Sequence, residues 1–276
     1  MDVLHAVPPG DLGVLALGLV LAGVVGGLLA GVLEIGGGIV VVPVLYHVLA
    51  TLGLDESVRM HVAVGTALAA AIPASLARAQ NALRSADRDL LRDWAAPVLV
   101  GVLIGSALLA VANGHGLALL FAIVAVPVVL HLAFGGTEKS PALRAPRSIC
   151  QLVLPAILGA ASAMTGMGGS TLAAPALDLR GTPRSSRSGN AAVLGAIVCI
   201  PAALGAIAVS WRAQGLPPDS LGYVNLLGFA LIAPVLLLME PAGAALANLV
   251  DLKRLRTVFA ALIAVTSARM LWDAFG

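Results

Sequence analysis

Two Gly-rich stretches interrupt apolar sequence, and each is followed by a short hydrophobic run that contains a proline. One reads IGGGIVVVPVL from Ile35 to Leu45, and the other reads MGGSTLAAPAL from Met167 to Leu177. A helix that restarts after such a break exposes unpaired N–H groups and the positive end of its dipole. Because these groups suit an anion, the pattern predicts anion binding without an obligatory cationic side chain. Close helix packing through small residues is the alternative.

The predicted anion site combines the backbone of both breaks with neighbouring hydroxyl groups. Ser170 and Thr171 add donors at the second break, and Thr66 lies on the apolar segment that follows the first. For Thr66, a hydrogen bond between helices is an equal alternative. The predicted substrate-binding residues are Gly36, Gly37, Gly38, Gly168, Gly169, Ser170, Thr171 and Thr66.

Two of the charged residues within or beside the apolar segments are candidates for a function. Glu34 directly precedes the first break, and a carboxylate inside a membrane is a functional hypothesis by default. A fixed negative charge would oppose an anion site, so we predict that Glu34 carries a coupling proton. The alternative is a glutamate at a helix end that reaches cytoplasmic water. Arg78 either attracts anions or snorkels to the interface, and snorkelling is the favoured interpretation.

The composition is that of an integral membrane protein. Of the 276 residues, 59% are hydrophobic and 11% are charged, and the mean hydropathy is +1.01. A soluble domain has about 25% charged residues, so lipid must cover much of this exterior. The sequence contains no HExxH, Walker or CxxC motif, and its net charge is only +2. We therefore predict no enzyme activity, no metal, no cofactor and no nucleic-acid partner.

Most hydrophobic runs along the chain are near membrane-spanning length, which is about 20 residues, and two are clearly shorter. The two short runs follow the Gly-rich breaks. Together they predict an all-α polytopic membrane protein with about 8–10 membrane segments. The predicted segments are 12–33, 39–52, 61–82, 94–112, 117–134, 149–164, 171–179, 188–209, 223–239 and 257–275.

The two halves of the chain repeat the same pattern. Their Gly-rich motifs align without a gap, and each is followed by a long apolar segment with an inner proline, Pro73 or Pro201. We infer a first repeat over 1–134, a connecting cytoplasmic loop over 135–148 and a second repeat over 149–276. Each repeat would consist of a Gly-broken helical hairpin and three transmembrane helices.

The positive charges predict how the repeats are oriented. Three Lys or Arg residues lie in each of four loops, and the other connections have almost none. Cytoplasmic loops are the positively charged ones, and placing these four inside puts both termini on the outer face. Equivalent loops then face opposite sides, which is an inverted repeat of the kind common in secondary transporters. The four loops are 83–93, 135–147, 180–187 and 240–256.

At the Gly-rich motifs the sequence resembles the sulfite exporter TauE/SafE family, also called the toluene sulfonate uptake permease family. Its signature is a Gly-rich run followed by hydrophobic residues, a proline and a leucine near the start of each half. This sequence departs from the signature at two positions. Glu34 stands in place of the leading glycine of the first motif, and Ser170 stands in place of the last glycine of the second. The matching residues are Gly36, Gly37, Gly38, Pro43, Leu45, Gly166, Gly168, Gly169, Pro175 and Leu177.

The resemblance covers both halves and implies transport of a small sulfur oxyanion or organosulfonate, such as sulfite, thiosulfate or sulfoacetate. We therefore expect a secondary transporter, embedded in the lipid of a bacterial cytoplasmic (inner) membrane, that moves a small anionic substrate by alternating access. An anion channel or a partner-dependent membrane subunit is the alternative. The sequence leaves open the coupling ion, a proton or sodium, as well as the direction of transport and homo-oligomerisation.

Overall fold

A computed structural model describes residues 9–134, 149–211, 213, 215–217, 219–247, 249 and 251–275. The predicted connecting loop 135–148 lies outside these residues. A π-helical turn, Ile149–Val153, leads into α6, and two short antiparallel strands, β1 Ser220–Leu221 and β2 Val224–Asn225, precede α9. The helices are α1 Pro9–Leu33, α2 Gly38–Thr51, α3 Glu56–Ala82, α4 Arg88–Val111, α5 Gly114–Phe134, α6 Leu154–Thr165, α7 Gly169–Arg180, α8 Arg184–Val209, α9 Leu226–Leu246 and α10 Leu252–Phe275.

Six of the described helices, α1, α3, α4, α5, α8 and α9, are long and apolar enough to cross a membrane. The helices that follow the breaks are shorter, with 14 residues in α2 and 12 in α7. At 1.5 Å per residue they span about 21 and 18 Å, less than the roughly 30 Å of a bilayer core. The prediction of an all-α polytopic membrane protein is confirmed.

Every predicted segment contains a helix, but polar residues move several of the boundaries. Helix α3 begins at Glu56 rather than at 61 because the Asp55 carboxylate caps it, accepting a hydrogen bond from the Ser57 N–H at 2.8 Å. Hydrogen bonding with Ser57 also holds the pKa of the Asp55 carboxyl below its usual value. Helix caps of this kind are invisible to a search for apolar runs.

The largest boundary error concerns α9. The sequence predicted a span over 223–239 and a loop from 240, whereas the helix continues to Leu246. Glu240 is therefore a buried helical residue and not a loop residue. The sequence prediction failed here because an ionisable residue normally ends a membrane span unless a partner lies within the protein.

The helices pack in pairs around a central pair, α3 and α8. Helix α1 runs along α9, α4 runs along α6, and α5 runs along α10. Small residues allow the close contacts of the first two pairs. A methyl group at Gly31 of α1 would overlap the Glu240 carbonyl of α9, and one at Gly159 of α6 would overlap the Val98 carbonyl of α4. The outward faces of the bundle carry large exposed aliphatic side chains, which suit lipid, among them Leu103, Ile104, Val111, Leu238 and Val265.

The short connections gather at two ends of the bundle. At one end the Asp87 N–H donates to Asn190 Oδ1 at 2.8 Å, and the Arg180 guanidinium lies over the Trp94 ring. The predicted arginine-rich loops at 83–93 and 180–187 therefore share this end. At the opposite end, His61 Nε2 lies 3.0 Å from the Ala112 carbonyl oxygen.

Candidate anion-binding site

The first break separates α1 from α2 by four residues. Helix α1 ends at Leu33, Glu34 takes a left-handed backbone conformation (φ +57°), and α2 restarts at Gly38. Gly37 occupies the N-cap position of α2, where no side chain caps the helix. The first N–H groups of α2 thus lack a capping partner from the N-cap residue.

The second break has a similar form. Helix α6 ends at Thr165, Gly166 (φ +71°) and Gly168 (φ +80°) take positive φ values, and α7 restarts at Gly169. In the gap-free alignment of the two motifs, Gly166 corresponds to Glu34, and both have the left-handed conformation. Glycine adopts this conformation without steric cost, so Glu34 fills a position whose backbone favours glycine.

The two breaks are in direct contact. Thr171 Oγ1, in the first turn of α7, accepts a hydrogen bond from the Gly36 N–H at 3.0 Å and donates one to the Met167 carbonyl at 2.8 Å. A methyl group at Gly38 would overlap the Gly166 carbonyl. Glycine at these positions therefore permits the starts of α2 and α7 to meet inside the bundle.

Arg78 joins four elements at this junction. From α3 its Nη1 donates to the Ile35 carbonyl of the first break, and its Nη2 donates to Ser170 Oγ of α7, both at 3.0 Å. Its Nε forms an ion pair with Glu240 Oε1 of α9. The side chains are shielded, with 21% of Arg78 and 7% of Glu240 exposed.

A small cavity lies among these groups. Its volume of about 10 Å³ leaves room for no more than about one water molecule. The glycine and serine backbone of both breaks, Arg78 and Glu240 all border it. The junction is therefore closed to an oxyanion in this conformation. Among the described residues, no three His, Cys, Asp or Glu side chains are grouped as a metal site would require.

Comparison with known proteins identifies the family. The family model "Sulfite exporter TauE/SafE" matches residues 19–270. The chain belongs to this family. It is also 25% identical over 252 residues, 91% of this chain and 96% of its relative, to a "Probable membrane transporter protein" from Haemophilus influenzae (strain ATCC 51907 / DSM 11121 / KW20 / Rd). No solved structure matches the chain.

The fold of this TauE/SafE member brings most of the predicted site residues together. Those that border the cavity or lie beside it are Gly36, Gly37, Gly38, Gly168, Gly169, Ser170 and Thr171. Thr66 is the predicted residue that lies apart. Its Oγ1 accepts a hydrogen bond from the Asn225 N–H at 2.9 Å, about 18 Å along α3 from Arg78.

The charged residues differ from the sequence interpretation. Arg78 does not snorkel away from the bundle, since all three of its nitrogen groups are engaged at the junction. Glu34 is exposed at the end of α1, which agrees with the alternative of a glutamate that reaches water. Its predicted role in proton coupling stays a prediction.

Glu240 is the site residue that sequence reasoning missed. It lies in the run LLLMEPAG, directly after the end of the predicted segment 223–239. One signal was available: Glu240 and Arg78 are opposite charges set within apolar segments, and such residues commonly pair with one another in membrane proteins.

Proposed function

We propose that this TauE/SafE member is a secondary transporter that moves a small anion, a sulfur oxyanion or an organosulfonate, by alternating access. The observation that carries the proposal is the contact between the two broken helices at Gly36 and Thr171, with Arg78 beside it. Two helix starts supply partial positive charge and N–H donors, and the guanidinium supplies a full positive charge. The substrate would bind here, on the backbone of both breaks and on Ser170.

An inverted repeat fits the way in which the helices pair. Helix α9, the fourth of the second half, packs on α1, the first helix of the first half; α4 packs on α6 in the same way. The pairs α3 with α8 and α5 with α10 join equivalent helices. Reciprocal pairing of this kind supports two repeats, 1–134 and 149–276, related by a pseudo-twofold axis.

The proposed membrane is the bacterial cytoplasmic (inner) membrane, with the arginine-rich end of the bundle inside. The exposed side chains of Arg84, Arg88 and Arg92 at that end support the orientation, since positive loops stay in the cytoplasm. Both termini would then be outside. Arg78 lies one turn from the end of α3, so its contacts would close the junction on the cytoplasmic side.

Exchange measurements in proteoliposomes test the proposal. Vesicles loaded with unlabelled sulfite or an organosulfonate are placed in a low concentration of the labelled anion. A carrier gives transient accumulation of label that depends on internal substrate. Uptake at rates far above carrier turnover, with a measurable current, would instead identify a channel. If no anion is taken up, the transport proposal fails.

A thermal-shift panel on the purified protein identifies the substrate class. Sulfite, thiosulfate, sulfoacetate and other sulfonates are compared with chloride at equal ionic strength. Because a ligand that binds only the folded state raises its stability, the transported anion should raise the melting temperature in a saturable way. Equal effects of every salt would argue against a specific oxyanion site.

A further inference from the structure

The role inferred here for the Arg78–Glu240 ion pair, in binding the substrate, rests on the proposed transport of a small anion. We propose that Arg78 is the principal anion-binding residue and that Glu240 is an internal competitor, which occupies the guanidinium until the substrate displaces it. The substrate class would be an anion with at least two terminal oxygens on one centre, as in a sulfonate, a sulfite or a carboxylate.

All three nitrogens of the Arg78 guanidinium have partners in this conformation. Its Nη1 bonds to the Ile35 carbonyl, its Nη2 to Ser170 Oγ, and its Nε pairs with Glu240. One of these partners, Ile35, belongs to the first break, and another, Ser170, lies in the first turn of α7, directly after the second break. Any group that draws the guanidinium away from one partner will also loosen its ties to the others.

The cavity explains why substrate and Glu240 would exclude each other. Its volume of about 10 Å³ cannot hold a four-atom oxyanion while the carboxylate remains in place. Guanidinium binds two-oxygen anions in a fork geometry that a carboxylate and a sulfonate both satisfy. Glu240 therefore neutralises Arg78 with the same oxygen chemistry that the substrate would offer.

When the substrate replaces Glu240 beside Arg78, the shielded guanidinium keeps a negatively charged partner. An uncompensated cation in this environment is costly, and the same holds for the carboxylate once it is released. We infer that Glu240 moves away from Arg78 as substrate binds, and that α9, which carries it, shifts relative to α3. Such a shift would open the junction only when an anion is present, which suppresses leak.

The test compares single substitutions by anion exchange and by anion-induced thermal shift. Arg78→Gln should raise the KM for the transported anion by about tenfold or more, and Arg78→Lys should recover part of this loss because it keeps the charge. Glu240→Gln should act in the opposite direction: without the competitor the KM should fall at least about fivefold. The anion-induced thermal shift should then exceed that of the unmodified protein.

Two control variants and one double variant accompany the single substitutions. Arg269→Gln and Asp93→Asn each remove one positive or one negative charge at an exposed position and should leave the KM unchanged. If a single variant fails to accumulate, Arg78→Gln with Glu240→Gln removes both charges together, so it should fold yet show no anion-induced shift. Anion binding by this double variant equal to that of the unmodified protein would overturn the inference.

Failure of this inference is distinct from failure of the transport proposal. If the unmodified protein exchanges an anion but Arg78→Gln keeps the same KM, transport stands and the role of Arg78 is refuted. A rise in KM for Glu240→Gln, similar to that for Arg78→Gln, would show that Glu240 supports binding and does not compete. If the unmodified protein neither binds nor moves any oxyanion, both proposals fall.

Discussion

At the scale of single residues, the closed junction depends on a few polar contacts in an apolar interior. Thr171 and Arg78 each connect one break to the other, through the Gly36 N–H and through the Ile35 carbonyl and Ser170. An unsatisfied polar group in such a place is costly. The polar side chains at this junction therefore hold together two segments that the backbone alone would leave unpaired.

The Thr171 hydroxyl gives the sharpest residue-level test. Thr171→Val removes the acceptor of the Gly36 N–H and should destabilise the protein by about 1–3 kcal/mol, because a buried donor is left without a partner. Thr171→Ser keeps the hydroxyl and is the matched control. Thermal unfolding in detergent measures the difference, and equal stability of the two variants would show that this hydrogen bond contributes nothing.

Glu34 offers a second test at the same scale. Glu34→Gln should change the pH dependence of anion uptake if this carboxylate carries the coupling proton, and an identical pH profile would remove that role. Glu34→Gly is the companion variant. Because the backbone here has a φ of +57°, glycine should stabilise the break even though the carboxylate is lost. Glu34→Gln removes the charge but keeps the strained backbone, whereas Glu34→Gly removes the charge and relieves the strain. Comparing uptake by the two variants therefore separates the role of the carboxylate from that of the backbone conformation.

At the scale of elements, the bundle relies on glycine where two helices touch through their backbones. Gly31 lies so close to α9 that a methyl group would overlap the Glu240 carbonyl and crowd the Ala244 nitrogen. Elsewhere on α1, a methyl group at Gly18 would meet only the Val48 side chain, at an ordinary 3.9 Å. The glycines of one helix therefore differ in what they do for packing.

Paired alanine substitutions on α1 measure this difference. Gly31→Ala should lower the free energy of unfolding by about 1–3 kcal/mol, since the added methyl group forces α1 and α9 apart. Gly18→Ala should be neutral or slightly stabilising, because alanine favours the helix. If the two variants unfold at the same temperature, close backbone contact is not what holds α1 to α9.

The elements themselves were largely readable from the sequence, but the polar site was not. A run of about 20 apolar residues is a strong signal, and every predicted segment contains a helix. The Gly-rich breaks were also found, because three glycines in an apolar run require an explanation. The opposite charges of Arg78 and Glu240 within apolar segments indicated that they could pair, but the contact itself depends on how α3 packs against α9, which the sequence does not show.

At the scale of the whole molecule, the two halves differ in the chemistry of their equivalent positions. Gly105 of α4 packs on the Ala160 carbonyl as Gly243 of α9 packs on the Leu28 carbonyl. Counted from these glycines, Val102 takes the place that Glu240 has in the other half. Val102 is fully buried and apolar. If the halves are inverted repeats, the Arg78–Glu240 ion pair closes the junction at one end of the bundle, and the position equivalent to Glu240 has the apolar Val102 instead.

Cysteine labelling in cells decides between inverted and parallel repeats, after Cys150 and Cys199 have been replaced in a background that still transports. Thr51→Cys replaces the last residue of α2, and Ser188→Cys lies in the second turn of α8, shortly after α7; both positions are exposed. An impermeant maleimide should label Thr51→Cys in intact cells but Ser188→Cys only after permeabilisation, because inversion places equivalent connections on opposite sides. Arg84→Cys, in an arginine-rich loop, serves as the internal reference and should also stay protected. Equal labelling of Thr51→Cys and Ser188→Cys would mean a parallel repeat, and the two breaks could not then enter from opposite faces of the membrane.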